Sequence, residues 1–368
     1  SVESSTEAVT WNAGWYVVNS TVTISEPITV SGEVNLILVD GCTLTAEKGI
    51  VVTTDNSLTI YAQSGGTGTL NATGVFFRNG ATYESNVSAG IGGSGTAPDS
   101  GAITIHGGVI NATGGGQSGY CGSAGIGGGT PSSGNGGSSG AVIILGGTVT
   151  ANSGEGFVAG AGIGGGGSQQ GAGGTGDNIT IYGGSVTAAS TGTQSGGAGI
   201  GGGGGFTGGG TGSNIQIYGG TIKATGSFLG AGIGGSGSTS SPNSSYKSGD
   251  GAVTISGGTV TAVGGNYAAG IGGGGGYYYS TQYSSGGCTG GTGSVTIFGG
   301  IVDASSPTEV AWEGYEGAPI GNGGNTTATA TVSKTNAIVF ENGAGTVCGD
   351  VTLDGSYTVP GDYTLNIP

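Results

Sequence analysis

A short phrase, Ala-Gly-Ile-Gly-Gly, returns six times along the chain, at positions 89–93, 124–128, 161–165, 198–202, 231–235 and 269–273. A degenerate seventh copy reads Ala318-Pro319-Ile320-Gly321. The central isoleucine moves from 91 to 126, 163, 200, 233 and 271, a step of roughly 33 to 38 residues. Self-similarity at that period marks a stacked-repeat architecture before any other feature is weighed. Between copies stands a second phrase, variants of Val/Ile-Thr-Ile-x-Gly-Gly-x-Val-Thr-Ala, over 103–112, 142–151, 179–188, 215–224, 253–262 and 295–304.

Both phrases alternate with period two, the periodicity of strands. In Ile179-Thr180-Ile181 the isoleucines share a face, in Val186-Thr187-Ala188 valine and alanine do, and in Ala161-Gly162-Ile163-Gly164 one side carries only glycine. Each repeat thus offers three short strands, with a Gly-Gly corner between the first two. A single turn cannot bury its apolar face, whereas stacked turns share a continuous core. The expected fold is all-β: a single-stranded parallel β-helix with one coil per repeat and long glycine-rich loops thrown out after the third strand. A β-propeller is the structural rival, but its blades need four strands. Residues 1–85 read as coils with shorter loops, with Val22-Thr23-Ile24, Leu36-Ile37-Leu38 and Leu58-Thr59-Ile60 matching the Val-Thr-Ile phrase. Trp11, Trp15 and Tyr16 are placed to cap the open apolar end. Residues 86–300 are the glycine-loop repeats. Residues 301–368 return to short strands at Ile338-Val339-Phe340, Val351-Thr352-Leu353 and Tyr363 to Ile367, and stop in mid-pattern, as if more coils followed.

Glycine accounts for 95 of 368 residues without the triplet spacing of collagen. Five Lys and Arg stand against 20 Asp and Glu, a formal charge of −15, which disfavours nucleic acid and anionic membrane surfaces as partners. No apolar run approaches the roughly 20 residues of a membrane span. Neither a secretory signal nor an anchor motif is present, and the chain reads as a mature fragment. Cys42, Cys121, Cys288 and Cys348 show no Cys-x-x-Cys spacing. Cys121 and Cys288 lie four rungs apart, about 19 Å, too far for a disulfide unless loops run along the axis. Four unpaired thiols are expected. The lone His106 sits at a corner position held elsewhere by Leu145, Tyr182, Tyr218, Ser256 and Phe298, so neither a zinc site nor any cofactor is expected.

Several stretches together resemble a known family. The opening Trp11-Asn12-Ala13-Gly14-Trp15-Tyr16, the Thr21-Val22-Thr23-Ile24 coil, the Ala-Gly-Ile-Gly-Gly array and the closing Ala337-Ile338-Val339-Phe340 are similar to the large glycine-rich repeat surface proteins of gut Firmicutes. These carry adhesin-like or carbohydrate-binding labels. The resemblance implies an extracellular, cell-surface location and an adhesive role, and it carries over no site residue.

The loops hold scattered aromatics: Tyr120, Phe157, Phe206, Phe228, Tyr246, Tyr267 and the cluster Tyr277, Tyr278, Tyr279 and Tyr283. Flat rings beside Asn, Ser and Gly are what the apolar face of a neutral sugar stacks on. The same rings could equally turn inward and pin the loops. The interruption at 301–324 carries Asp303, Glu309, Glu313 and Glu316 with Trp312 and Tyr315. A glycoside hydrolase needs two acids about 5 to 10 Å apart, with the rings as sugar platform; the alternative is a solvated boundary loop. Asp99, Asp177 and Asp250 precede three Val-Thr-Ile strands at unequal offsets and make no regular calcium ladder. The glycine runs are no phosphate loop, since no helix follows them. Glycines 162, 164, 199 and 201 leave one outer strip bare, to be covered by the protein's own loops or by a partner, self-association included. Outward threonines in Thr148/Thr150, Ser185/Thr187, Thr221/Lys223 and Thr259/Thr261 would stack as in an ice-binding solenoid, although threonine is simply a good strand residue. No acid pair recurs with the repeat. The favoured expectation is a non-catalytic adhesin or stalk module binding a neutral glycan or host surface, with the hydrolase and the ice-binding solenoid as alternatives.

Overall fold

The computed structural model describes residues 1–78, 85–239, 246–276, 278–281, 284–307, 316–352 and 356–367. It is a parallel β-helix whose strands line up in three ladders. On the first, Ile28, Ile50, Ile91, Ile126, Ile163, Ile200, Ile233, Ile271 and Ile320 pair in unbroken succession. On the second, Leu58, Ile103, Val142, Ile179, Ile215, Val253 and Val295 stack in order. On the third, Leu44, Leu70, Ile110, Val149, Val186, Ile222, Val260, Val302 and Val339 do the same. All three files are buried, and each large aliphatic side chain contributes about 1.5–3 kcal/mol.

The alternation survives residue by residue. In Ser185–Ala189, Val186 and Ala188 are buried while Ser185 and Thr187 face out. The second glycine of each corner pair takes a positive φ, +89° at Gly184. A Cβ there would come within 2.6 Å of the Gly147 carbonyl oxygen below, so both backbone shape and stacking require glycine.

Several expectations need correction. Val22–Ile24 pairs with Thr43–Ala46 and so belongs to the third ladder, not the second. The two strand types bury the same i, i+2 pattern, and the first coils lack the Gly-Gly corner that tells them apart. There, Ile28–Leu38 runs through a bend at Gly32 and serves the first ladder at Ile28 and the second at Val34. At the other end Val351 and Thr352 are not in a strand. The chain instead folds back: Ala337–Glu341 continues the third ladder, and Ala344–Cys348 pairs with it antiparallel across Asn342-Gly343. Both turn residues have positive φ, the demand of a two-residue hairpin turn. Trp11 is buried in the first rung and stacks on Tyr16, as an end cap should, whereas Trp15 is 63% exposed.

The glycine loops are not thrown outward. Their two limbs fold back and interleave into one file of backbone hydrogen bonds, in which the donor is always the later residue. Gly129 donates to the Pro98 carbonyl, Gly137 to Gly129, Gly166 to Gly137, Gly174 to Gly166, Gly203 to Gly174 and Gly210 to Gly203. Ser236, Gly249, Gly274, Gly291 and Gly323 continue it, each donating to the one before, at 2.8–3.0 Å throughout. Pro98, which has no N–H to donate, begins the file. All these glycines are buried, and a Cβ on Gly174 or Gly210 would sit 1.9 Å from a carbonyl oxygen. Glycines 162, 164, 199 and 201 are buried as well, so the strip left bare in the sequence is covered by the protein itself. A second copy could reach it only by displacing this layer.

Candidate functional site

Two of the four clustered tyrosines, Tyr278 and Tyr279, lie on a distinct element. Tyr278–Thr281 pairs antiparallel with Ser284–Gly287 as a two-stranded sheet separate from the three ladders. In the backbone register Tyr278 stands opposite Gly287 and Tyr279 opposite Gly286. Tyr277 and Tyr283 lie outside the described residues, as do Glu309, Trp312, Glu313 and Tyr315.

Of the four candidate acids, Asp303 and Glu316 are described. Glu316 is exposed. Asp303 faces outward on the third ladder beside Thr261 and Phe340, and its Oδ2 accepts a 2.9 Å hydrogen bond from the Tyr363 hydroxyl. That bond, with burial and the carboxylate's charge behind it, pushes the Tyr363 pKa up to about 12. Burial, then the same charge, raises that of Tyr357. The other oxygen of Asp303 is buried with no hydrogen-bond partner among the described residues. Asp303 is thus bound up in the carboxyl-terminal cap.

The three aspartates at unequal offsets share one job. Asp99 Oδ1 accepts from Ser138 N at 2.8 Å, Asp177 Oδ1 from the N–H and hydroxyl of Ser213, and Asp250 Oδ1 from Thr292 N at 2.6 Å. Each carboxylate clasps the next coil. Asp40 does the same for the Gly65–Thr67 turn. Hydrogen bonds from that turn, Thr67 N–H first, hold the Asp40 carboxyl below the usual range. At Asp250 burial pushes upward, but Lys247, 2.8 Å away, and Thr292 together outweigh it and lower the pKa. The legible signal was the Ser or Thr a coil later, not the distance to the strand. Among the described residues no His, Cys, Asp or Glu side chains cluster to hold a metal ion. Cys121 and Cys288 are buried, and Cys42 and Cys348 are half-buried.

The loop aromatics divide. Tyr267 is 3% exposed and meets Phe228 edge-on, and half-buried Tyr120 tilts against Phe76. Phe206 and Tyr246 are exposed, and Phe157 and Phe206 face the same groove with Gln169 and Gln170. A separate file runs along the corner of the second ladder: Tyr61 stacks on His106 at 4.5 Å and Tyr182 on Tyr218 at 5.0 Å. In each pair the two rings cover one another's facing sides. The outward threonines register as expected, Thr148, Ser185, Thr221 and Thr259 in one file, with Lys223 and Asp303 standing in the neighbouring one.

Among the described residues no helix is long and apolar enough to cross a membrane. The family model for the beta helix repeat matches residues 103–130, 142–167, 179–204, 215–237 and 253–275, one match in each of five successive coils. No curated protein and no solved structure matches the chain.

Proposed function

We propose that the chain is a non-catalytic rod segment of a bacterial cell-surface protein, an adhesin or stalk module that holds glycan-binding loops at fixed positions along its length. The observation that carries this reading is the unbroken hydrogen-bonded file from Pro98 to Gly323 beside the three ladders. It turns loops that would be floppy by composition into a second layer fixed to the core, the property a spacer or display scaffold needs. A neutral glycan is the favoured ligand, because a chain of charge −15 with five basic residues repels anionic ones. Its proposed seat is the loop of Tyr277, Tyr278, Tyr279 and Tyr283, where four tyrosines fall within seven residues of sequence. Resemblance to gut Firmicutes surface proteins supports the extracellular location.

A glycan array of neutral, sulfated and uronate-rich ligands tests the binding. Retention confined to neutral glycans, and lost in the Tyr278→Ala/Tyr279→Ala double variant, is the expected outcome. Reducing-sugar analysis after incubation with the same glycans separates binding from turnover. Release of defined oligosaccharides that disappears in Glu313→Gln overturns the reading in favour of a glycoside hydrolase.

A further inference from the structure

A second place on the rod has the makings of a sugar site, away from the tyrosine hairpin. Phe157, Gln169, Gln170 and Phe206 line an open groove of about 340 Å³, within the range of small-ligand pockets. Two aromatic rings and two primary amides form this lining, and none of the four side chains is charged. Phe206 is 38% exposed and Gln170 is exposed, while Phe157 and Gln169 are half-buried.

The walls are fixed from behind. Phe157 lies in the strand Gly156–Val158, paired in parallel with Gly192–Ser195 one coil on, and its N–H donates to the Tyr120 carbonyl at 2.7 Å. The glutamines ride on a turn locked by Ser168, whose hydroxyl donates to the Gly134 carbonyl and accepts from the N–H of Gly171 at 2.8 Å. Phe206 N–H donates to the carbonyls of both Ser168 and Gly171 at that turn. The Gln169 side-chain amide donates to the Gly119 carbonyl at 3.4 Å; Gln170 N–H donates to Ser168 Oγ at 3.3 Å, and its side-chain amide makes no hydrogen bond among the described residues. Little ordering therefore remains for a ligand to impose.

We propose that this groove is a binding subsite for one pyranose unit of a neutral saccharide. A pyranose has an apolar C–H face and a rim of hydroxyls. The Phe206 ring offers the face its counterpart. A planar amide presents a donor and an acceptor side by side, matching two neighbouring hydroxyls that each donate and accept. A phosphate, sulfate or carboxylate finds no cationic partner among the four lining side chains. The inference rests on the reading of the chain as a glycan-binding module and adds a second location for sugar, apart from the tyrosine hairpin.

The test titrates the intact chain with methyl glycosides of glucose, galactose, mannose and N-acetylglucosamine at millimolar concentration. The side-chain amides of Gln169 and Gln170 and the Phe206 ring are followed by NMR. One glycoside is expected to shift these signals saturably, with affinity falling about tenfold or more in both Phe206→Ala and Phe206→Leu, a loss of about 1.4 kcal/mol. The leucine variant keeps apolar bulk without an aromatic face, and unchanged backbone amide spectra report its fold. Signals that stay fixed with all four glycosides, or a titration unaltered in both variants, overturn the subsite. The wider reading is judged apart, by array binding of the parent and its loss in the Tyr278→Ala/Tyr279→Ala variant.

Discussion

Two glycines two residues apart give the sharpest test of the backbone file. A Cβ on Gly210 would lie 1.9 Å from the Gly174 carbonyl oxygen and 2.9 Å from Gly203 N. Those two atoms are the acceptor and donor of one bond in the file. Gly208, on the same loop, has nothing nearer than Lys247 O at 3.5 Å and Ala172 Cβ at 3.6 Å, an ordinary contact. Alanine at either site gains about 0.4–1 kcal/mol by restricting the unfolded chain. At Gly210 it must also force backbone apart, about 1–3 kcal/mol. It loosens the Gly203–Gly174 bond and its own bond to Ser236, at about 0.5–1.5 kcal/mol each. Gly210→Ala should therefore lose about 2–4 kcal/mol, whereas Gly208→Ala should stay within about 1 kcal/mol of the parent, on the stable side. Urea titration gives the global figure. Amide exchange at Gly203, Ser236 and Gly249 gives the local one, where a loss of about 3 kcal/mol appears as exchange faster by roughly two orders of magnitude. Parent-like protection in Gly210→Ala would mean that the limbs are not stacked as described.

Other perturbations probe the core, the cap and the clasps. Ile200, fully buried between Ile163 and Ile233, should lose several kcal/mol as Ile200→Asp, about 3–5, because the carboxyl gains no partner there; a parent-like melting curve rejects the internal isoleucine file. Tyr363 is held protonated, with its pKa raised from 10.0 to about 12, so its stabilising contribution is complete below pH 10 and lost as pH rises towards 12. Tyrosine absorbance should titrate late for this residue, and Asp303→Asn should bring it back towards pH 10. The Asp40 and Asp250 carboxyls are depressed below 3.8, so their clasps hold above pH 4 and release as pH falls below it. Amide exchange at Thr67 and Thr292 should rise in that acid window, and for Thr292 the rise should be absent in Asp250→Asn, which has already lost the charge.

The ladders were legible because strand alternation and the Gly-Gly corner are local signals repeated many times. Ile163, Val186 and Ile181 could be assigned to their faces from neighbours two residues away, and the stacking then followed from the period. Where the corner is missing, at Val22–Ile24, the same alternation fits two ladders, and only the pairing with Leu44–Ala46 assigns the strand to the third. The carboxyl-terminal hairpin has its own cue in Asn342-Gly343, a pair suited to a two-residue turn between antiparallel strands. The glycine layer was of another kind. Its partners are 8 to 29 residues apart at Gly129–Gly137 and Gly137–Gly166, and they meet through backbone atoms that every residue carries. Sequence therefore shows only that glycine is tolerated there; the reason, a carbonyl about 2 Å from where a Cβ would be, lies in another coil.

The same difference separates the candidate sites. Aromatic loop residues could be picked out singly, but Tyr267 is buried and Phe206 exposed on loops of similar composition, because only the fold decides which limb lies inside. Phe157 and Phe206 belong to different repeats, yet they face one groove because Phe206 N–H is bonded to the Ser168 and Gly171 carbonyls of the turn that carries Gln169 and Gln170. A repeat that fixes its loops by backbone bonds leaves their exposed side chains free to differ from coil to coil without disturbing the rod. The Asp–Ser and Asp–Thr clasps keep the coils in register while Gln169, Gln170, Phe206 and Tyr246 vary at the surface. On this scaffold, constancy belongs to glycine and the inward aliphatics, and any recognition belongs to the residues that break the repeat.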